Sequence, residues 1–309
     1  MMFETAGVHH VALGVRDPDA MKTFYRDMLG FAVIQEESTP EPHKIMSGIT
    51  RGVTPIFSVN VLSQEAGGIL VELIHMISPN PRPIHLDFHY GDIGVNKISI
   101  AAADIDTVYR KLADGCVYAT SPKEADIPGY GAYRFLYCWD PENNLVELFS
   151  DDKTPVDGTF GGVRRVGISV SDLDRGIRFY QEYAGLDTVY IEPHEVFSGL
   201  VDDALGYRGT SVRSCVLASS RGGGMVELFH VSEPRGRHIP LYTSWGDYGY
   251  LQTCMLCDNA PQTAADLENE GVPVILPPQR LPEDETTAFT FTRDRDNIPL
   301  EFLSFNTPE

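Results

Sequence analysis

VHHVALGVRDPDAMKTFYRDMLGF, residues 8–31, and VRRVGISVSDLDRGIRFYQEYAGL, residues 163–186, are two versions of one pattern. Val8 aligns with Val163, Asp17 with Asp172, Phe24–Tyr25 with Phe179–Tyr180 and Gly30 with Gly185, each pair 155 positions apart. The same offset carries Glu72 to Glu227, His75 to His230 and Gly94 to Gly249. Near the end it slips to 154, taking Asp140 to Asp294 and Glu147 to Glu301. One offset held over so much chain marks an internal duplication. Two domains are expected, residues 1–150 and 163–309.

Each half reads as two smaller units. Val8–Val15 alternates as a strand, Asp17 is suited to cap a helix with Pro18 at its first position, and Gly30 is suited to stop it. Met21, Phe24, Tyr25 and Met28 fall at helical spacing. Strands are expected at Phe31–Glu37, Pro55–Leu62 and Ile69–His75. A second unit follows: strand Val95–Ala101, helix Asp104–Asp114, a strand around Tyr133–Trp139, a DPENN turn and strand Leu145–Phe149. The order βαβββ is thus predicted four times, which makes the fold α+β. Polar, Pro- and Gly-rich linkers are expected at Ser78–Ile93, Ser150–Gly162 and Ser232–Tyr248.

Composition narrows the class. Of 309 residues, 42% are hydrophobic and 22% charged, which excludes collagen-like, coiled-coil and disordered chains. No apolar run is long enough for a membrane helix, and Met1–Gly14 lacks the layout of a signal peptide. A cytoplasmic protein is expected. The 24 Lys and Arg against 44 Asp and Glu give a net charge of −20, which would repel polyanions. Neither nucleic acid nor a membrane surface is therefore an expected partner; a small-molecule substrate is, and a homodimer is compatible with this composition. Cys254 and Cys257 make a CxxC on an expected strand, where positions three apart point to opposite faces, so they read as structural thiols.

The HHVALGV strand, the FYRDMLGF helix end and the DPENNLVEL turn and strand resemble the vicinal oxygen chelate superfamily. That group includes glyoxalase I, extradiol dioxygenases, and fosfomycin and bleomycin resistance proteins. The resemblance spans nearly the whole chain. It implies four βαβββ modules paired into two tandem glyoxalase-like domains with curled mixed sheets. It also implies a divalent metal held by inward-facing residues on the first and last strands of each module. Carried onto this chain, those positions are His10, Glu72, Lys97 and Glu147 in the first half. Lys97 stands where the family usually carries a second His.

Strand parity supports these positions independently. Val11, Leu13 and Val15 share one face of their strand and leave His10 on the other. Glu72 lies with Leu70 and Ile74, Lys97 with Ser99 and Ala101, and Glu147 with Leu145 and Phe149. A carboxylate on an apolar strand face is costly unless paired or metal-bound. Three uses of such a cavity compete. His10, Glu72 and Glu147 could ligate iron, manganese, zinc or nickel, with Lys97 and Glu147 as acid–base groups. Alternatively Lys97 could neutralise a carboxylate in a metal-free pocket that binds a ligand. The third use is a purely structural ion-pair cluster.

The second half carries Arg165, Glu227, Gln252 and Glu301 at the equivalent positions. Arg165 cannot deprotonate and so cannot ligate. The second domain is therefore expected to be a non-catalytic copy without a metal, with chemistry confined to residues 1–150. His85 and His89 are expected to be solvated in a linker, His75 and His230 to be structural, and Tyr133 or Arg134 to be ordinary strand residues or ligand contacts. Gly222–Gly224 precedes a strand and does not fit a phosphate loop. The expected function is a metal-dependent isomerase, epimerase or lyase acting on a small oxygenated, partly apolar substrate through enolate stabilisation. An extradiol-type ring-cleaving dioxygenase and a non-catalytic ligand-binding or resistance protein are the alternatives.

Overall fold

The computed structural model describes residues 5–281 and 284–305. The first module comprises β1 (Thr5–Gly14), α1 (Pro18–Leu29), β2 (Val33–Glu37), β3 (Glu41–Pro42), β4 (Ile56–Ser63) and β5 (Leu70–Ser78). The second comprises β6 (Gly94–Ala102), α2 (Ile105–Lys111), β7 (Val117–Tyr118), β8 (Lys123–Ile127), β9 (Gly131–Trp139) and β10 (Leu145–Asp151). The third has β11 (Phe160–Ser169), α3 (Leu173–Tyr183), β12 (Thr188–His194), the short α4 (Asp202–Leu205), β13 (Ser211–Ala218) and β14 (Met225–Glu233). The fourth has β15 (Gly249–Cys257), α5 (Ala260–Asn269), β16 (Val274–Leu281), β17 (Asp284–Arg293) and β18 (Pro299–Phe305). The α+β class and the four modules are as the sequence predicts.

Helix boundaries follow the capping chemistry. The Asp17 carboxylate accepts from the Ala20 amide, and Gly30 closes α1 in the left-handed region at φ 76°. Asp104 and Asp172 cap α2 and α3 in the same way. Met21, Phe24, Tyr25 and Leu29 are the buried face of α1.

The pairing of modules differs from expectation. The described residues form two sheets of nine strands. One runs β16-β17-β18-β15-β1-β5-β4-β2, with β3 beside β4, and joins the first module to the fourth. The other runs β12-β13-β14-β11-β6-β10-β9-β7, with β8 beside β9, and joins the second to the third. Each sheet therefore takes one module from each half. Its centre is an antiparallel pair, β1 with β15 or β6 with β11, and the two pairs are related by the repeat. Ala12 faces Gln252 in one, and Gly167 faces Lys97 in the other.

The sheets approach closely where the chain is glycine-rich. Val8 and Gly224 exchange backbone hydrogen bonds of 2.9 and 3.0 Å, and the Ile69 amide donates to Val163 at 2.9 Å. A Cβ on Gly223 would lie 1.7 Å from the Ala6 carbonyl oxygen, so only glycine permits this contact. One apolar core, including Val11, Leu13, Ile98, Ile100, Val166 and Met255, runs continuously between the sheets on their helix side. Each opposite, concave face has its own core: Met46, Phe57, Phe289 and Phe291 on the first sheet, Tyr133, Phe135, Phe149 and Phe229 on the second.

Candidate functional site

The concave face of the first sheet gathers one polar side chain from each of its four central strands. His10 comes from β1, Glu72 from β5, Gln252 from β15 and Glu301 from β18. Register brings them together: Ala12 is flanked by Glu72 and Gln252, and Cys254 lies between His10 and Glu301. The His10 Nε2–H donates to Glu301 Oε2 at 3.0 Å and stands 3.5 Å from Glu72 Oε2. Gln252 Nε2 donates to the same Glu301 oxygen at 3.2 Å. Its Oε1 accepts from the Trp245 indole N–H at 2.7 Å. Apolar Ala12, Ile74 and Leu303 surround the group.

Two carboxylates set against one imidazole in an apolar bowl demand a cation. Burial opposes charge on His10, but Glu301 and Glu72 outweigh it and push its pKa up to about 9. Burial pushes Glu72 up to about 7 against the pull of His10. Without a metal, the proton on His10 therefore supplies the positive charge. The donors available to a divalent ion are one imidazole nitrogen, two carboxylates and one amide oxygen. This set fits iron(II), manganese(II), nickel(II) or zinc(II). The Gln252 oxygen has a second lone pair beyond the one that Trp245 engages.

A β-bulge adds a residue that alternation does not predict. The register of β1 on β15 shifts between Val8 and His10, so His9 and His10 project on the same side. His9 Nδ1 lies 3.0 Å from His10 Nδ1. Burial, with His10 adding, lowers the His9 pKa to about 4, so His9 is neutral and accepts the His10 Nδ1–H. That contact directs His10 Nε2 at the carboxylates. His9, His10 and Cys254 also lie close enough for three ligand atoms to fall within 4.8 Å of one another. The Cys254 thiol, however, is held far above its ordinary pKa by burial and by Glu301 and Glu72. Glu72, Gln252 and Glu301 add oxygen donors beside this trio. Cys257 belongs to the opposite core, as its strand parity requires.

Lys97 and Glu147 are not part of this site. The expected set of His10, Glu72 and Glu147 is separated because β1 pairs with β15 and not with β6, which puts Glu147 in the other sheet. There Lys97 Nζ donates to Glu147 Oε2 at 2.6 Å and to Glu227 Oε2 at 2.8 Å, all three fully buried. Ser99 also donates to Glu147, and the Tyr133 hydroxyl donates to its other oxygen at 3.1 Å. Arg165 donates to the Tyr133 hydroxyl at 3.3 Å and lies 4.3 Å from the Phe149 ring centroid. Burial opposes the Lys97 charge, but Glu147 and Glu227 outweigh it and raise its pKa. The ammonium therefore supplies a permanent cation, and Lys97 can act neither as a base nor as a ligand at neutral pH.

The cluster around His10 also draws on residues outside 1–150. Gln252 and Glu301, assigned above to a non-catalytic copy, complete the His10 and Glu72 set. Arg165 and Glu227 lie in the other sheet with Lys97 and Glu147. The His230 Nδ1–H donates to the Val170 carbonyl oxygen at 2.9 Å. Arg134 pairs with Asp106 on the outer surface. Gly222–Gly224 makes the inter-sheet contact and is no phosphate cradle.

The model of the Glyoxalase/Bleomycin resistance protein/Dioxygenase superfamily matches residues 7–148 and again 162–302. No curated protein matches the chain in sequence. Among solved structures, glyoxalase I from Zea mays is similar at 16% identity and a TM-score of 0.64, covering 96% of this chain and 92% of that one. A putative dioxygenase from Bacillus subtilis is similar at 12% identity and a TM-score of 0.59, covering 99% and 87%. At these identities the likeness is one of fold. Among the described residues, no helix is long and apolar enough to cross a membrane.

Proposed function

The chain belongs to the Glyoxalase/Bleomycin resistance protein/Dioxygenase superfamily, and from that premise we propose that it is a metal-dependent enzyme of the vicinal oxygen chelate kind. It acts on a small oxygenated, partly apolar molecule by isomerase, epimerase or lyase chemistry. The carrying observation is the convergence of His10, Glu72, Gln252 and Glu301 from both halves of the chain onto one buried point. Those four residues hold the divalent metal. When bound, the metal supplies Lewis-acid polarisation of substrate oxygens.

The chain's own groups do the rest. His9 keeps the His10 ring turned toward the carboxylates. Trp245 fixes the Gln252 amide. Glu72, the more exposed carboxylate of the set at 19%, would be the group that moves a proton on the substrate while the other three donors keep the metal. The apolar wall of Ala12, Ile74 and Leu303 excludes water.

The test is metal content and affinity after incubation of metal-free protein with iron(II), manganese(II), nickel(II) and zinc(II). Tight stoichiometric binding of at least one, lost in His10→Ala, is expected. Failure of all four to bind the wild type overturns the reading.

A further inference from the structure

A cavity of the first sheet is not centred on the His10 cluster. It lies at the Gly249 end of β15, under the crossing segments 83–93 and 239–248. Its volume is about 190 Å³. An apolar cavity of ~150 Å³ admits benzene, so this one is large enough for a single ring or a short branched chain. Ile49, Trp245, Leu251, Ile275 and Phe291 form an apolar wall continuous with the concave core of the first sheet.

Polar groups in the lining have unused hydrogen-bonding capacity. His85 Nε2, Thr243 Oγ1 and Arg293 Nε are buried without a partner. Buried polar groups are nearly always satisfied, so three orphans on one cavity wall indicate a missing polar partner.

The charges there are also unequal. Of the lining carboxylates, Glu142 accepts from the Arg16 and Asp17 amides, and Asp92 is engaged by Arg237. Both are occupied. Of the lining guanidiniums, Arg16 lies over the Tyr248 ring at 4.3 Å, and Arg293 donates only to Asn297 at 3.3 Å. Neither has a carboxylate partner among the described residues. In a chain of net charge −20, the half-buried Arg293 lines the cavity without a carboxylate partner among the described residues.

We propose that this cavity is a binding site for a small organic carboxylate with an apolar, ring-sized body. The body packs on Trp245, Leu251 and Phe291, and the carboxylate meets the planar guanidinium fork of Arg293, with His85 and Thr243 as further partners. Because Trp245 both lines the cavity and holds Gln252, its occupant sits one side chain away from the candidate metal cluster.

Trp245 also reports on the site. The chain has two tryptophans, so in Trp139→Phe protein excitation selective for tryptophan reports Trp245 alone. Metal-free Trp139→Phe protein is titrated with phenylacetate and with the uncharged phenylacetamide. Phenylacetate is expected to change the emission saturably, and the amide to bind roughly tenfold more weakly. Arg293→Gln should abolish that preference, and Arg293→Lys should retain most of it. The proposal is overturned if phenylacetate gives no saturable change, if acid and amide bind equally, or if Arg293→Gln keeps the preference. Metal-free protein is used throughout, so a failure here is distinct from a failure to bind metal.

Discussion

His10 Nε2 stands 3.0 Å from Glu301 Oε2 across 291 positions of sequence. No local preference brings such a pair together; it exists because β1 and β15 are neighbours and β18 pairs with β15. The candidate site is thus a product of both halves, and its chemistry depends on their registry.

Glu301→Ala should abolish tight metal binding, with affinity falling by more than the roughly 10–100-fold that loss of an outer-sphere partner causes. Glu147→Ala should leave the metal stoichiometry of folded protein unchanged. Competition with a chromophoric chelator measures both. Equal losses in the two variants would contradict the separation of the two cavities.

Stability of the metal-free protein should decline as pH rises from 5 to 9. His10 holds its proton up to about pH 9 when folded and to 6.5 when unfolded; Glu72 does so up to about 7 against 4.5. In both windows the folded state binds more protons than the unfolded state, so folding weakens as pH increases. The loss should be on the order of 6 kcal/mol over that range, roughly half from each group. It should shrink in saturating metal, which replaces the proton. Denaturant midpoints at pH 5, 7 and 9 provide the check.

Lys97→Met leaves Glu147 and Glu227 facing each other in a water-free interior. A cost of about 3–5 kcal/mol is expected, seen as a fall in thermal midpoint. Adding Glu227→Gln and Glu147→Gln should recover part of it. A neutral effect of Lys97→Met alone would show that the cluster is not a required charge network.

Trp245→Phe keeps an aromatic ring and removes the N–H that orients Gln252. Metal affinity should drop about tenfold, as for loss of other groups that orient ligands. Chelator competition on variant and wild type measures it, and Gln252→Ala in the same background should then add little further loss.

Separately produced halves, cut in the loop at 152–158, should not remain monomers. Each retains strands β1 and β6, or β11 and β15, whose antiparallel partners lie in the other half. Co-expression should return a 1:1 complex by light scattering.

Much of this was legible in the residues themselves. The 155-residue offset revealed the duplication, Asp17 and Gly30 marked α1, and alternation turned His10 and Glu72 inward. Module pairing was not legible, because alternation tells which face of a strand is buried and nothing about which strand lies beside it. Arg165 at the His10-equivalent position makes the second half read as a non-catalytic copy, which hides the part Gln252 and Glu301 play beside His10. The glycines at 67–68 and 222–224 were the available signal: they recur at the repeat offset, and both mark places where the sheets touch. His9 escaped notice because a bulge breaks the two-residue period on which parity rests.

The correspondence of Ala12–Gln252 with Gly167–Lys97 makes the chain a dimer fused into one polypeptide, its dyad running between the two central strand pairs. In a dimer of identical subunits both cavities must be alike, so any substitution is made twice. Fusion lifts that constraint. A Cβ on Gly167 would fall 2.6 Å from Lys97 Cγ, so the loss of one methyl group opposite makes room for the lysine in one cavity alone. One bowl could thus become a self-contained brace while its twin kept open valences for chemistry, a division of labour that no symmetric assembly of this fold can reach.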